Sequence, residues 1–155
     1  MTKRPLLLLL SFTVPAVLID MNVSFLGFRT DLASILAYWF GLTHSGAAGM
    51  AFGAALGSLE DSLLSSFIGP GLLSVGMIGY MASFFSHTFF RWTPLLGFLV
   101  AALLTFFGGM AEFASLSIFD DLEHAFLGGL PLLLFQSIMN GTLAVFFRPG
   151  EARAA

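Results

Sequence analysis

Residues 49–61, GMAFGAALGSLED, carry a glycine at every fourth position and end in an acidic pair. The glycines are Gly49, Gly53 and Gly57, and the next step of four reaches Asp61. Small residues at this spacing let one helix backbone approach another closely, and a carboxylate in an apolar helix rarely faces lipid. The stretch therefore predicts a closely packed helix, and it makes Glu60 and Asp61 candidates for a functional or assembly role.

Composition indicates that this helix belongs to a membrane protein. Of the 155 residues, 57% are hydrophobic and 10% are charged, whereas charged residues make up about 25% of ordinary soluble domains. Stretches without Asp, Glu, Lys or Arg cover residues 32–59, 62–90, 92–111 and 124–147. A helix needs about 20 apolar residues to cross a bilayer. We therefore expect an all-α integral membrane protein with a single transmembrane domain over residues 1–155, in contact with the lipid bilayer.

Turn signals and charges divide the chain into six predicted transmembrane helices. Gly69-Pro70-Gly71, the segment 91–94 and the acidic segment 120–124 mark three of the breaks. The apolar run after Arg4 resembles a signal peptide but lacks a small-x-small cleavage pattern, so we interpret it as a retained first span. The predicted bundle has helices at about 5–25, 28–43, 46–66, 71–90, 94–117 and 125–147.

The distribution of basic residues predicts the orientation. With six spans and a cytoplasmic N-terminus, five of the six Lys and Arg residues face the cytoplasm and only Arg29 faces outward, as the positive-inside rule requires. Both termini are then cytoplasmic. Arg29, Asp31, Glu60 and Asp61 collect in the outer half of the bundle as a candidate polar cluster, in which Arg29 is the natural partner of one carboxylate.

The helix predicted over 71–90 carries a second line of residues at steps of four. Gly71, Val75 and Gly79 lie on it, so this face is expected to meet the glycine-rich helix, with Gly79 as a further packing residue. Tyr80 falls in mid-span, where a buried hydroxyl should find a partner. Self-association through the face of Gly49, Gly53 and Gly57 is an alternative that would use the same surface.

Several functional classes lack the residues they need. The chain has no cysteine, and its three histidines are separated along the chain, so no metal or cofactor is expected. Six scattered cations do not form a patch for nucleic acid. The carboxylates near predicted spans are spread over four helices, and the histidines lie at helix ends. This arrangement does not supply a catalytic set, so an enzyme is not expected.

Short motifs along the chain resemble the rod shape-determining protein MreD family. They are Arg29-Thr30-Asp31-Leu32, the helix closing in Gly57-Ser58-Leu59-Glu60-Asp61-Ser62-Leu63-Leu64-Ser65, the turn Gly69-Pro70-Gly71, the pair Gly79-Tyr80, and Gln136 with Asn140. Thr30 stands where the family usually has proline, and Glu60 adds an acid beside the expected Asp61.

The resemblance implies a non-enzymatic inner-membrane subunit of the bacterial cell-wall elongation complex. Such a subunit binds MreC, and through the complex it is connected with the RodA glycosyltransferase, a class B penicillin-binding protein and, indirectly, MreB filaments. The family is also similar in fold to the substrate-binding subunits of energy-coupling-factor transporters. A vitamin-transporter subunit is therefore the alternative, with Arg29, Asp20 and Glu112 orienting a small polar ligand.

Overall fold

The computed structural model describes residues 24–25, 28–29, 31–64, 69–85, 93–119 and 125–146. This part is helical apart from a short hairpin, which agrees with the all-α expectation. Strands β1 (Ser24–Phe25) and β2 (Phe28–Arg29) pair antiparallel. Five helices follow: α1 (Leu32–Thr43), α2 (Gly46–Leu64), α3 (Pro70–Ala82), α4 (Pro94–Phe119) and α5 (Ala125–Ala144), with a 3₁₀ turn at Ser83–Phe85 after α3.

One helix in the described part is clearly long and apolar enough to cross a membrane. It is the segment Pro94–Ser117 of α4, 24 residues with a mean hydropathy of 2.0. Leu32–Thr43 and Pro70–Phe85 are shorter apolar helices. The six-span arrangement remains a prediction.

The helix bounds differ from the predicted ones near the N-terminus and at the end of α3. Residues 5–23 of the first predicted helix lie outside the described residues, and its last two residues form β1. The helix predicted over 28–43 begins only at Leu32, because β2 occupies residues 28–29. Helices α2, α4 and α5 agree with the predicted bounds within three residues. Helix α3 ends at Ala82, eight residues before the predicted end at 90; a 3₁₀ turn follows at Ser83–Phe85, and residues 86–90 lie outside the described residues.

Helix α1 begins where it does because Asp31 caps its first turn. The Asp31 carboxylate accepts a hydrogen bond at 2.8 Å from the backbone N–H of Ser34, and aspartate is among the preferred residues at this position. The helix ends at His44, which is extended. Its 12 residues rise only about 18 Å, so α1 is too short to cross a bilayer by itself.

Helices α2 and α3 pack antiparallel through the predicted glycine faces. Gly49 lies against the carbonyl of Gly79, Gly53 against that of Val75, and Gly57 against that of Gly71. A methyl group on any of the three α2 glycines would overlap the facing carbonyl oxygen. The backbones can approach this closely only because these side chains are absent. The face available for self-association in the sequence is therefore used within the chain.

The other side of α3 forms a core with α1 and α4. Tyr38, Ile78, Val100 and Leu104 are all at least 96% buried there. The Tyr38 hydroxyl donates to the carbonyl oxygen of Gly97 at 3.4 Å, which fixes α1 against the first turns of α4. Helix α5 packs along α4, and the Leu133 side chain fills the space beside Gly109.

Candidate functional site

Asp61 caps the N-terminus of α3 from the end of α2. It is 5% exposed. Its Oδ1 accepts a hydrogen bond from the N–H of Gly71 at 2.9 Å, and its Oδ2 accepts from Gly69 at 2.8 Å and from Leu72 at 3.1 Å. We call Asp61 with these three N–H groups the α3 cap. One side chain thus satisfies three backbone donors at the start of a helix.

A carboxylate is the chemically suitable group at this position. The first N–H groups of a helix have no partner within the helix, and the aligned peptide dipoles place partial positive charge at the same end. Pro70 occupies the first helical position and lacks an N–H, so this position has no backbone donor that needs a partner. The α3 cap therefore combines hydrogen bonding with favourable electrostatics in a buried place.

Glycine is required on both sides of the α3 cap. Gly69 has a φ of +152°, a conformation that residues with a Cβ rarely adopt. A Cβ at Gly71 would meet Asp61 Oδ1, and one at Gly57 would overlap the carbonyl of Gly71. The end of the glycine stripe, the acid and the Gly-Pro-Gly turn therefore form one structural unit.

The predicted polar cluster is divided in the described part of the structure. Asp61 belongs to the α3 cap, and Glu60 lies beside it, half-buried. Asp31 lies at the start of α1. Arg29 belongs to β2 by its backbone, but the position of its guanidinium lies outside the described residues. The expected pairing of Arg29 with a carboxylate therefore stays a prediction.

Asp31 takes part in a second buried polar group, formed with α4 and α5. The Asn140 amide donates to the Asp31 carbonyl oxygen and to Thr105 Oγ1, both at 3.3 Å. Ser34 lies on the same turn as the Asp31 cap. Asn140, Ser34 and Thr105 are 0%, 1% and 5% exposed. We call Asp31, Ser34, Thr105 and Asn140 the α1 polar site.

The α1 polar site lies level with the middle of α4. Thr105 is near the centre of that helix, which extends from Pro94 to Phe119. The start of α1 is therefore beside the middle of the membrane-length helix, whereas the sequence placed Arg29 and Asp31 near the outer end of a full span. Tyr38 contacts Gly97 in the first turn of α4, and the 12 residues of α1 rise only about 18 Å, so the start of α1 reaches the level of Thr105 and not the far end of α4.

Two buried polar atoms of the α1 polar site, Asn140 Oδ1 and Ser34 Oγ, have no hydrogen-bond partner in the described part of the chain. Asn140 uses its amide nitrogen twice, while its Oδ1 is buried and has no hydrogen-bond partner within the described part of the chain. Leaving a buried acceptor in this state costs about 1–3 kcal/mol. In the sequence, Asn140 stands out only as part of a motif with Gln136, and single Ser and Thr residues in apolar runs give no signal for Ser34 or Thr105.

His44 and Tyr80 are of residue types that often have functional roles, but their ring–ring contacts here are with neighbouring groups of the same helix region. His44 stacks on Phe40 with ring centroids 3.9 Å apart, and its Nδ1 lies 3.2 Å from the Phe40 carbonyl oxygen, so it closes the end of α1. Tyr80, expected to be buried, is 43% exposed and meets Phe84 edge-on at 5.2 Å. Within the described residues, His, Asp and Glu do not form a group of three or more that could hold a metal ion.

Comparison of the chain with protein-family models, with curated proteins and with solved structures finds no match.

Proposed function

We propose that this chain is a non-enzymatic, multi-pass subunit of a bacterial cell-wall elongation complex, located in the inner membrane with both termini in the cytoplasm. Its direct partner would be MreC, in a complex with the RodA glycosyltransferase and a class B penicillin-binding protein. MreB filaments would be connected indirectly. The proposal rests on the resemblance to the MreD family, and the following features of the structure support it.

The main support for the proposal is that several motifs behind the resemblance contact one another in the structure. Gly57, Asp61 and the Gly69-Pro70-Gly71 turn are separate in sequence, yet they form the α3 cap and the closest part of the α2–α3 contact. Residues that depend on one another physically are less readily explained as a chance match of short apolar motifs. The same unit gives the subunit a rigid helix pair.

The exposed surface of α4 supports a lipid environment. Leu95, Leu99, Leu103 and Phe107 follow one another at steps of four and are between 46% and 69% exposed. Steps of four place side chains on one side of a helix, so they form a continuous apolar stripe. Water-soluble monomers rarely expose a large contiguous apolar patch. Such a stripe is suited to lipid or to another transmembrane helix.

The positions of the acids favour an assembly role over catalysis. Asp61 accepts three backbone hydrogen bonds and Asp31 caps α1, so each carboxylate has a structural task. A general base needs a geometry that reaches a substrate proton. Since the Asp61 carboxylate joins two helix ends and the Asp31 carboxylate caps α1, we expect their loss to affect folding and assembly.

The transporter alternative is favoured by one observation, the unsatisfied acceptor of Asn140 inside the helix bundle. Ligand sites combine apolar walls with a few polar groups. A substrate-binding subunit of an energy-coupling-factor transporter would place such groups against a vitamin.

Affinity purification in a gentle detergent from native membranes distinguishes the two functions. The tagged chain is captured and the accompanying proteins are identified by mass spectrometry, with an unrelated tagged polytopic protein at matched expression as the control. Enrichment of MreC with RodA and a penicillin-binding protein supports the proposal. Enrichment of an ATPase pair with its membrane coupling subunit, or a vitamin that elutes with the protein, contradicts it and supports the transporter.

A further inference from the structure

The Oδ1 atom of Asn140 requires a partner that the described chain does not supply. The side chain is 0% exposed, and both amide N–H groups are used, on the Asp31 carbonyl oxygen and on Thr105 Oγ1. Buried polar groups in folded proteins nearly always have a hydrogen-bond partner. An acceptor left over at this depth therefore indicates a species that binds there.

Rotation of the amide group does not remove the unsatisfied acceptor. A rotated amide would direct its oxygen at the carbonyl oxygen of Asp31, which can only accept. The two oxygens would repel each other, and a hydrogen bond from the Thr105 hydroxyl to the rotated oxygen would not remove this repulsion. The orientation with Oδ1 available is therefore the stable one.

The other side chains of the α1 polar site all carry oxygen atoms. Asp31 contributes a carboxylate, of which Oδ1 accepts from the N–H of Ser34. Ser34 Oγ is itself buried without a hydrogen-bond partner in the described residues, and Thr105 contributes a second hydroxyl. Oxygen ligands select hard cations over soft ones. Asp31 supplies the one carboxylate among these four residues, which suits a monovalent ion. Glu112 on α4 interacts electrostatically with Asp31 and adds negative charge nearby.

The electrostatic potential at the start of α1 also permits a cation. The N-terminus of a helix has a partial positive charge of roughly half an elementary charge, and this would disfavour a cation at the start of α1. The full negative charge of the Asp31 carboxylate lies on the same turn and exceeds that partial charge. In membrane transporters such ions are bound by unwound backbone carbonyls and helix C-termini, whereas a cation at the start of α1 would depend on the side-chain oxygens.

We propose that the α1 polar site binds a monovalent metal cation, through the Asp31 carboxylate, the Asn140 Oδ1 and the neighbouring hydroxyls of Ser34 and Thr105. Sodium and potassium ions are the candidates, and both have this chemistry. The bound ion would satisfy Asn140 and join α1, α4 and α5 at one level of the bundle. This proposal does not depend on MreC or on any other partner, because it concerns the isolated chain.

Thermal unfolding of the purified full-length protein in detergent tests the site. The midpoint is measured against increasing NaCl, KCl or choline chloride, with the ionic strength held constant by N-methyl-glucamine chloride. A bound ion raises the midpoint in a saturable manner. We expect a rise of several degrees with sodium or potassium, and the ion with the lower half-saturation concentration is the preferred occupant. Equal midpoints in all three salts would overturn the proposal.

Two variants separate a specific site from a general salt effect. Asp31→Asn retains a good helix cap but removes the negative charge, so the variant should fold and lose the cation response. Glu60→Gln removes one negative charge at the end of α2 and should retain the response. If Asp31→Asn responds as strongly as the unmodified chain, the site is excluded.

A third variant tests whether the chain supplies its own cation. Arg29 precedes Asp31 by two residues, and β2 packs against α5, the helix of Asn140. If its guanidinium satisfied Asn140, the unmodified protein would show no cation response and Arg29→Gln would gain one. That result would overturn the proposal. A cation response in the unmodified protein that persists in Arg29→Gln supports it.

Discussion

Gly71 and Asp61 require each other. Asp61 Oδ1 accepts the Gly71 N–H at 2.9 Å, and the same oxygen occupies the space that a Cβ on residue 71 would need. The end of α2 and the start of α3 are thus joined by a side chain that fits only against a glycine. The acid that stood out in the sequence as a possible ligand or partner site stabilises a helix pair.

Replacement of Asp61 by Asn should destabilise the protein strongly. An amide can present only one oxygen to the three N–H groups of Gly69, Gly71 and Leu72, and its own N–H₂ would then face at least one of these donors. Hydrogen bonds to a charged acceptor are worth about 1.5–3 kcal/mol each, so we expect a loss of about 2–4 kcal/mol in the free energy of unfolding. Reversible unfolding in mixed micelles measures it.

Ser62→Ala is the matched control for this prediction. Ser62 is exposed on the next residue of α2, and its hydroxyl bonds only to the Ser58 carbonyl within the described part of the same helix. We expect a change within about 0.5 kcal/mol. A loss in Asp61→Asn as small as that of the control would show that the α3 cap contributes little.

The α2–α3 contact predicts a severe effect of one added methyl group. In Gly53→Ala, the new Cβ would overlap the carbonyl of Val75, and rigid backbone cannot move aside as a side chain can. Overpacking of this kind costs about 1–3 kcal/mol or more. The exposed face of the same helix provides the control Ala51→Leu, which adds a larger group and should be tolerated. Unfolding of both variants under the same conditions compares them, and equal stability would contradict the close approach.

The pairing of α2 with α3 follows from sequence spacing alone, whereas the beginning of α1 does not. Three glycines at steps of four define a surface that only a backbone can fill, and the next helix carries its own small residues at the same spacing. Asp31 was a readable cap signal. A helix that begins at residue 28 supplies more of the length that a span needs, so the predicted helix begins before this cap. Pairings of distant residues, such as Asp31 with Asn140, depend on tertiary packing and have no local signal.

Single-cysteine labelling can test the proposed orientation cleanly, because the chain contains no cysteine. Ser45 and Ser62 are exposed near opposite ends of α2. With six spans and cytoplasmic termini, a membrane-impermeant maleimide should label Ser62→Cys in intact spheroplasts and Ser45→Cys only after permeabilisation. The reverse pattern would invert the orientation. Labelling of both positions in intact spheroplasts would contradict a membrane-spanning α2.

Helix α3 presents an exposed apolar face that we expect to meet the transmembrane helix of MreC. Leu73, Met77 and Tyr80 on α3, and Phe84 in the 3₁₀ turn that follows it, are between 42% and 57% exposed. Tyr80 is polar at its tip, and a hydroxyl in hydrocarbon is better satisfied by a protein partner than by lipid. Such a face, with one polar group among apolar side chains, is suited to a helix partner.

Paired alanine variants on two exposed faces test this interface. Tyr80→Ala with Phe84→Ala should lower MreC recovery at least several-fold while the chain still accumulates in the membrane, because both side chains lie outside the bundle core. Leu99→Ala with Leu103→Ala removes comparable exposed apolar groups from α4 and should leave recovery unchanged. A photoreactive phenylalanine analogue at position 80 should also crosslink to MreC in cells, and the same analogue at position 103 should not. If position 103 alone crosslinks, the partner binds α4, and the α3 face is directed toward lipid.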